Sequence, residues 1–396
     1  MTGYRRFLSL AFPSEALTRD VMLICLSNII GAFGEGLYFW VFPLYVRSLQ
    51  ANYLQLGIVL SALMGFAALV ALPGGLLADR FDRKKIMILS WTPWVLAPLI
   101  YSFAENWVQL IPGTFCFGIS MIGLPAVNAY VITSVHDKKM ITQALSLIWS
   151  SYFFSYIFAP ATGGYLATLI GMRWVLRLAA IFCAAATSIF FFIHSQHPQK
   201  VDIEEQRDSL TAADEKKQWH KIIIWSAFLA LAFFFINIGR PYVQTFLAEG
   251  IKMTEFEVGL FGSISYAGLT FIGIAIARIG DAWRKSGAMG ICLLMYAVSM
   301  IPLLLTGNIG FLMVTAFFLG GSAGSSALSN AYVGAIAPKS KRGLWLSVPM
   351  AAASIASFMA PYLGGYFYTF SPTYTFIISM TAMPLLVAYA IMKLKD

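Results

Sequence analysis

Charge is scarce in this chain of 396 residues: 11% are Asp, Glu, Lys or Arg, against 59% that are hydrophobic. A soluble domain carries about 25% charged and about 45–50% apolar residues. A chain this long would need far more polar side chains to cover its surface in water. The shortage excludes an ordinary water-soluble fold and makes lipid the solvent. Cysteine is scarce too. Cys25, Cys116, Cys183 and Cys292 all fall in apolar stretches and form no Cys-x-x-Cys pair, so they read as small buried residues rather than a metal, redox or disulfide framework. No Gly-x-x-x-x-Gly-Lys-Ser/Thr sequence is present, and nothing suggests ATP hydrolysis. No convergent nucleophile–base or metal set marks a membrane-embedded enzyme. The expectation is no enzyme, no cofactor and no metal.

What is abundant is long apolar runs. A spanning helix needs about 20 mostly apolar residues, and stretches of that kind recur near 21–46, 53–77, 86–104, 107–135, 141–170, 174–194, 222–248, 256–280, 286–306, 309–336, 343–369 and 372–392. The short alternating strands of a membrane barrel are not seen. The first 20 residues mix Arg5, Arg6, Glu15, Arg19 and Asp20 without an apolar core and cleavage site, so the first span is expected to act as its own insertion signal. Cations gather on alternate loops: Arg80, Arg83, Lys84 and Lys85; Lys138 and Lys139; Arg284 and Lys285; Lys339, Lys341 and Arg342. Opposite loops hold only Arg47, Arg173, Arg177 and Lys252. The positive-inside rule then places both termini in the cytoplasm of a cell (plasma or inner) membrane. The net charge of +9 serves topology and anionic lipid, not nucleic acid.

A single long polar stretch, residues 195–221, splits the spans six and six. The expected division is residues 1–197, a cytoplasmic linker 198–221, and residues 222–396. The halves repeat one another. Asn128-Ala129-Tyr130-Val131 returns as Asn330-Ala331-Tyr332-Val333, Asp79 as Asp281 and Gly57 as Gly259, each 202 residues on. Ala159-Pro160 and Gly163-Gly164-Tyr165 return as Ala360-Pro361 and Gly364-Gly365-Tyr366, 201 residues on. Six spans per copy keep both copies in one orientation, related by an axis along the membrane normal, with a cavity expected between them.

After the second span the chain reads Gly75-Leu76-Leu77-Ala78-Asp79-Arg80-Phe81-Asp82-Arg83-Lys84-Lys85. This resembles the loop signature of the major facilitator superfamily. Asp82 stands where that family usually has Gly, a substitution that a left-handed turn tolerates. In the second copy Asp281 and Lys285 persist while Ala282 replaces the Arg. The resemblance implies an all-α membrane fold of about twelve helices in two six-helix pseudo-symmetric bundles. It also implies a cytoplasmic latch in which Asp79 meets the other half near the start of the eleventh span, with Arg80 and Arg83 completing a charge network; helix N-termini do attract carboxylates. The alternative is topogenic charge alone. Ser151, Ser155, Ala159, Pro160, Gly163 and Gly164 resemble the fifth-span motif of antiporters in the superfamily. Ala352, Ala356, Ala360, Pro361, Gly364 and Gly365 repeat it, and close helix packing explains both copies equally well. An Arg that drug–proton antiporters of the family commonly carry in the fourth span is missing from residues 107–135.

Ionisable residues in mid-membrane cost about 2.5–3.5 kcal/mol on insertion scales and mark function. Glu35, between Gly34 and Gly36, is such a residue. Asn28, Gly31, Glu35, Tyr38 and Phe42 share one helical face. At the repeat shift Glu35 meets Asn237, whose face carries Phe233, Arg240 and Gln244. Glu35 and Arg240 are expected to line the cavity and to pair in at least one state, with burial and the nearby Arg setting the proton affinity of Glu35. A static ion pair is the structural alternative. Trp40, Trp91, Trp94, Trp149, Tyr152, Phe153 and Phe154 supply aromatic surface, much of it for lipid contact. Arg173-Trp174 reads as an interfacial anchor, and His136 as a solvated loop residue.

These features favour a monomeric secondary transporter of a small molecule that works by alternating access, with proton-coupled export of an amphipathic or cationic compound ahead. Uptake or facilitated passage of a small polar or anionic metabolite on Arg240 is the alternative. A non-transporting membrane sensor, which would tend to have larger soluble extensions or a degenerate latch, is a poorer match.

Overall fold

Several helix starts carry a local capping signal. Asn52 caps the helix Tyr53–Ala78 by accepting from the Gln55 N–H, while the Gln55 side chain accepts from the Asn52 N–H. Thr254 and Glu257 do the same for Glu255–Ala282. The two capping boxes satisfy orphan backbone donors and stand at positions 202 residues apart, so the repeat is written into the caps as well as the cores. Asp82 caps Arg83–Phe103, Asn308 caps Ile309–Gly321, and Ser371 caps Pro372–Met392. Gly171, at φ 80°, makes the sharp turn between Ile141–Ile170 and Met172–Ile189; a side chain there would strain the backbone.

The computed structural model describes residues 18–135, 140–197, 212–324, 328, 332–333 and 342–394. His136, Lys138, Lys139, most of the expected linker, Asn330, Ala331, Lys339 and Lys341 lie outside them. Among the described residues every regular element is helical. Span 1 is Arg19–Phe39, continued by Phe42–Ser48. Spans 2 and 3 are Tyr53–Ala78 and Arg83–Phe103, and span 4 is Ile111–Ser120 with Gly123–Ser134. Spans 5 and 6 are Ile141–Ile170 and Met172–Ile189. Span 7 is Ala212–Gly239, which begins inside the segment expected to be linker. Spans 8 to 12 are Glu255–Ala282, Lys285–Leu305, Ile309–Gly321, Arg342–Phe370 and Pro372–Met392. Among the described residues ten helices are long and apolar enough to cross a bilayer, and Ile309–Gly324 is a shorter apolar one.

The six-helix bundles meet through spans 2 and 11 and through spans 5 and 8. Proline makes this possible. Pro160 and Pro361 sit inside spans 5 and 11, where the ring displaces the preceding turn and loosens the backbone ladder. The N–H of Ala161 donates to Ser263 Oγ at 3.0 Å. The N–H of Tyr362 donates to Ser61 Oγ at 3.1 Å. These bonds are one contact made twice. Gly163 rests on the Leu37 carbonyl of span 1 and Gly364 on the Ile238 carbonyl of span 7. Gly164 and Gly365 rest likewise on the carbonyls of Glu255 and Tyr53. A methyl group at any of the four would collide with backbone, so the glycine pairs set the helix separation.

One end of the molecule is shut. There Arg47 Nε meets Glu249 Oε1 at 2.7 Å, and Tyr53 OH donates to Glu249 Oε2 at 2.7 Å. Arg47 also stacks on the Tyr53 ring at 4.2 Å and donates to the Ala51 carbonyl. At the opposite end Asp79, Arg80 and Asp281 are exposed. The side chains that open span 11, which the latch is expected to meet, lie outside the described residues.

Candidate functional site

Glu35 sits four residues before the end of the first helix of span 1 and is 4% exposed. The flanking Gly34 and Gly36 let spans 6 and 5 approach its backbone. Three neutral donors converge on the carboxylate. Trp94 Nε1 donates to Oε2 at 3.0 Å, and Tyr152 and Tyr156 donate to Oε1 at 3.1 and 2.7 Å. The donors come from spans 3 and 5. Among the described residues no cation contacts Glu35, so there the ionised form is held by oriented O–H and N–H dipoles. Charge-assisted hydrogen bonds of this kind are worth about 1.5–3 kcal/mol each.

A cavity of about 110 Å³ opens beside this carboxylate, lined by Asn28, Glu35, Trp91, Trp94, Trp149 and Tyr152 among others. Every lining residue belongs to span 1, 3, 4 or 5, so the cavity lies within the first bundle rather than between the two. Asn28 is fixed by donating to the Ile148 carbonyl at 3.1 Å. Tyr38 does not line it. Its ring packs at 6.1 Å from Tyr101, and its buried hydroxyl has no hydrogen-bond partner among the described residues. The helical stripe read from the sequence thus divides, with Asn28 and Glu35 on the cavity and Tyr38 and Phe42 against span 3.

Span 7 departs further from expectation. Its α-helix ends at Gly239, and Arg240-Pro241-Tyr242 form a 3₁₀ turn. Proline cannot supply the next helical N–H, so the face drawn through Asn237, Arg240 and Gln244 is broken at Arg240. Asn237 donates to the Phe233 carbonyl and to Ser357 Oγ. Gln244 is buried, with Oε1 unpartnered among the described residues. Arg240 is half-buried, and no carboxylate pairs with it among those residues. Glu35 and Arg240 do not form the expected ion pair.

What lies between them is aromatic. Tyr156, bonded to Glu35, packs against Tyr266 of span 8 with ring centroids 4.5 Å apart and the planes tilted by 44°. Tyr266 is within electrostatic reach of both Glu35 and Arg240, and Trp40 packs edge-on against it at 5.9 Å. Two tyrosine rings therefore connect the Glu35 carboxylate to the second bundle. Sequence reasoning named Trp94 and Tyr152 only as span aromatics and missed Tyr156 and Tyr266. The four-residue spacing of Tyr152 and Tyr156 on one face of span 5 was the available signal.

The loop residues are also redistributed. Arg83 is buried and donates to the Ala129 carbonyl, Thr133 Oγ1 and Gln196 Oε1 at 3.1, 2.7 and 2.8 Å, which ties spans 3 and 4 together instead of reaching the second bundle. Asp82 has φ −57°, not the left-handed turn expected of a Gly-like position. It caps span 3 and accepts from the N–H of Gln196 at 3.3 Å. Gly75 approaches nothing within 4 Å.

A family model described as Major Facilitator Superfamily matches residues 24–245 and again 226–396. The chain belongs to the Major Facilitator Superfamily. Multidrug resistance protein 2 of Bacillus subtilis (strain 168) is 24% identical over 380 residues, covering 91% of this chain and 92% of that protein. The purine ribonucleoside efflux pump NepI of Escherichia coli (strain K12) is 25% identical over 199 residues, about half of each chain. Among solved structures, a POT family transporter in complex with 5-aminolevulinic acid has a TM-score of 0.75 at 14% identity, covering 94% of this chain and 95% of that one. The nucleoside transporter NupG has a TM-score of 0.72 at 13% identity, covering 94% and 97%. At such identities these structures speak to the fold. The superfamily member described here has a multi-span transporter fold of the cell membrane; of the two relatives, one is named for multidrug resistance and the other as an efflux pump.

Proposed function

We propose that this superfamily member exports a small molecule in exchange for protons, by alternating access, with Glu35 as the protonatable group. The observation that carries this reading is a buried carboxylate beside a cavity, held by three neutral donors and no cation. Such a group can change charge without breaking an ion pair. The chemistry also selects an oxygen. The Trp94 N–H can only donate, whereas a tyrosine hydroxyl can turn and accept. A proton therefore settles on Oε1, where Tyr152 or Tyr156 reverses to accept it. Reversal at Tyr156 is felt by Tyr266 in the other bundle, which gives the rocking motion a reason to follow the proton. The names of the relatives, multidrug resistance and purine ribonucleoside efflux, agree with export of an aromatic or amphipathic cargo against the Trp91, Trp94 and Trp149 rings.

On this reading the chain is a transporter rather than an enzyme, and works as a monomer. Both termini lie in the cytoplasm, the Arg47 end faces outward, and the cavity opens to the cytoplasm. Residues 1–197 and 222–396 rock as the two units. Arg240 supports a second reading. A half-buried guanidinium without a counter-charge suits a polar or anionic metabolite, taken up or passively carried. Vesicles holding the purified protein, with an imposed pH gradient, separate the two when offered lipophilic cations, ribonucleosides and organic anions. Gradient-driven export that disappears in Glu35→Gln is expected; equal gradient-driven export by that variant sinks the proposal. Anion movement that is lost in Arg240→Ala and indifferent to Glu35 would establish the second reading.

A further inference from the structure

At the shut end of the first bundle, span 6 carries a feature that the transport cycle does not use. Ile170, Trp174, Arg177, Leu178 and Ile181 line a cleft of about 520 Å³. Trp174 and Ile181 are 58% and 65% exposed, so the cleft is open on the lipid-facing side of a membrane helix. The Arg177 guanidinium carbon lies 4.5 Å over the Trp174 ring and 5.1 Å over the Phe103 ring. Its Nε is buried with no hydrogen-bond partner among the described residues, and no carboxylate pairs with it there.

We propose that this cleft binds an anionic phospholipid, with the phosphodiester on Arg177 and an acyl chain along Leu178, Ile181 and Ile170. Two aromatic faces hold the guanidinium by cation–π attraction, which fixes its position without supplying an acceptor for its N–H groups. The buried Nε is out of reach from the cleft, so it is the terminal N–H groups of Arg177 that are left to take an acceptor from outside the protein. Arg177 stands in the second turn of a spanning helix, at the depth of the lipid headgroups, where a cation reaches for phosphate. The apolar walls below it demand a chain attached to that phosphate, which a free anion lacks. The sign of the headgroup also follows. Arg173 lies one turn away, donating to the Ala104 carbonyl at 3.1 Å, and no acidic residue lines the cleft. Glu105, the acidic residue following Ala104, forms no ion pair with either Arg. A headgroup ammonium would therefore face two guanidinium groups unopposed, whereas phosphatidylglycerol brings one negative charge and no cation. On the orientation proposed above this is the outer leaflet, although the binding chemistry does not depend on it.

Thermal unfolding of the delipidated full chain in neutral detergent tests this, with phosphatidylglycerol, phosphatidylethanolamine, phosphatidylcholine or inorganic phosphate added at equal concentration. Phosphatidylglycerol is expected to raise Tm most. A single Arg beside an anionic surface contributes about 1 kcal/mol, so its retention in native mass spectrometry should fall about fivefold in Arg177→Gln. Ile181→Trp, which fills the cleft and keeps the charge, should lower retention too. Equal stabilisation by all three lipids would mean an annular shell and overturn the proposal. So would a phosphatidylglycerol preference that both variants keep, or a shift by inorganic phosphate as large as that by the lipid. Should Arg177→Gln fail to fold, the Ile181→Trp comparison and the lipid ranking of the unaltered chain still decide it.

Discussion

Arg47 and Glu249 are 202 residues apart and form the 2.7 Å ion pair that shuts one end of the molecule. The same interval separates Asp79 from Asp281 and Gly57 from Gly259. Equivalent positions of two copies meet only where the axis relating the copies passes between them. The pseudo-twofold axis thus runs through this pair, and opposite charges at one repeat position make the axis itself a clasp. Both side chains are partly exposed, and such pairs contribute about 1 kcal/mol or less. Glu249→Gln should therefore shift the balance toward opening at this end by up to about fivefold. Labelling rates of a single cysteine placed beside Glu35 would read this, and unchanged rates would show that the pair does not hold the gate.

The twin bonds from Ala161 to Ser263 and from Tyr362 to Ser61 give a symmetry test. Each offers a serine acceptor to a proline-loosened helix, and each is worth about 1 kcal/mol. Ser61→Ala and Ser263→Ala should weaken the shut state by similar amounts, with the double variant near the sum because the two sites share no partner. A large effect from one and none from the other would show that the bundles do not close symmetrically. Cysteine accessibility measured at both ends distinguishes this from general destabilisation.

Packing and gating glycines should separate cleanly. A methyl at Gly163 meets the Leu37 carbonyl, whereas one at Gly75 meets nothing within 4 Å. Gly163→Ala should lower Tm by several degrees or prevent folding, since overpacking costs about 1–3 kcal/mol. Gly75→Ala should leave Tm unchanged in this conformation. A fall in transport alone for Gly75→Ala would mean that the loop closes tightly in another state, as the resemblance implies.

Asp82 shows how a familiar position can be put to a different use. Burial pushes its carboxyl up, but the N–H groups of Gln196 and Lys84, the Ser195 side chain and His197 more than offset this and hold it below the ordinary value. A depressed carboxyl contributes stability that is complete above its ordinary range near 3.9 and is lost as pH falls through the lowered value. Asp82→Ala removes an N-cap, worth about 1 kcal/mol. The gap in stability between it and the parent should be constant from pH 5 to 8 and close only in strong acid. A gap that closes within pH 5 to 8 would show that the Asp82 carboxylate is not the group responsible.

The fold was legible because lipid imposes a simple rule. Spanning segments must be long and apolar, and the spacing of Asn128, Asp79 and Pro160 from their second copies exposed the repeat. The site was half legible. Glu35 announced itself by its cost in mid-membrane, and Asn28 came with it. Its partners did not, because Tyr156, Trp94 and Tyr266 are ordinary span residues until folding brings spans 3, 5 and 8 beside span 1. The helical face drawn through Arg240 was not legible as broken, because Pro241 ends the helix only once the turn is formed. Arg47 was read only as a loop charge and Glu249 was not singled out, although adding 202 to the first gives the second.

The Tyr156–Tyr266 ring contact is the point at which proton and motion would meet, and it can be tested apart from Glu35 itself. Tyr266→Phe keeps the ring against Tyr156 and removes only the hydroxyl. Tyr266→Leu removes the ring, a contact worth about 0.5–1.5 kcal/mol beyond its buried area. If the ring carries the signal, Tyr266→Phe should keep gradient-driven export within about threefold of the parent, while Tyr266→Leu should bind cargo but lose most of its response to the pH gradient. If the hydroxyl carries it, the two variants should fail alike. Cargo binding measured at fixed pH guards against a merely damaged site. A Tyr266→Leu protein that binds normally and still follows the gradient would place the coupling elsewhere, and would leave the Glu35 carboxylate acting within the first bundle alone.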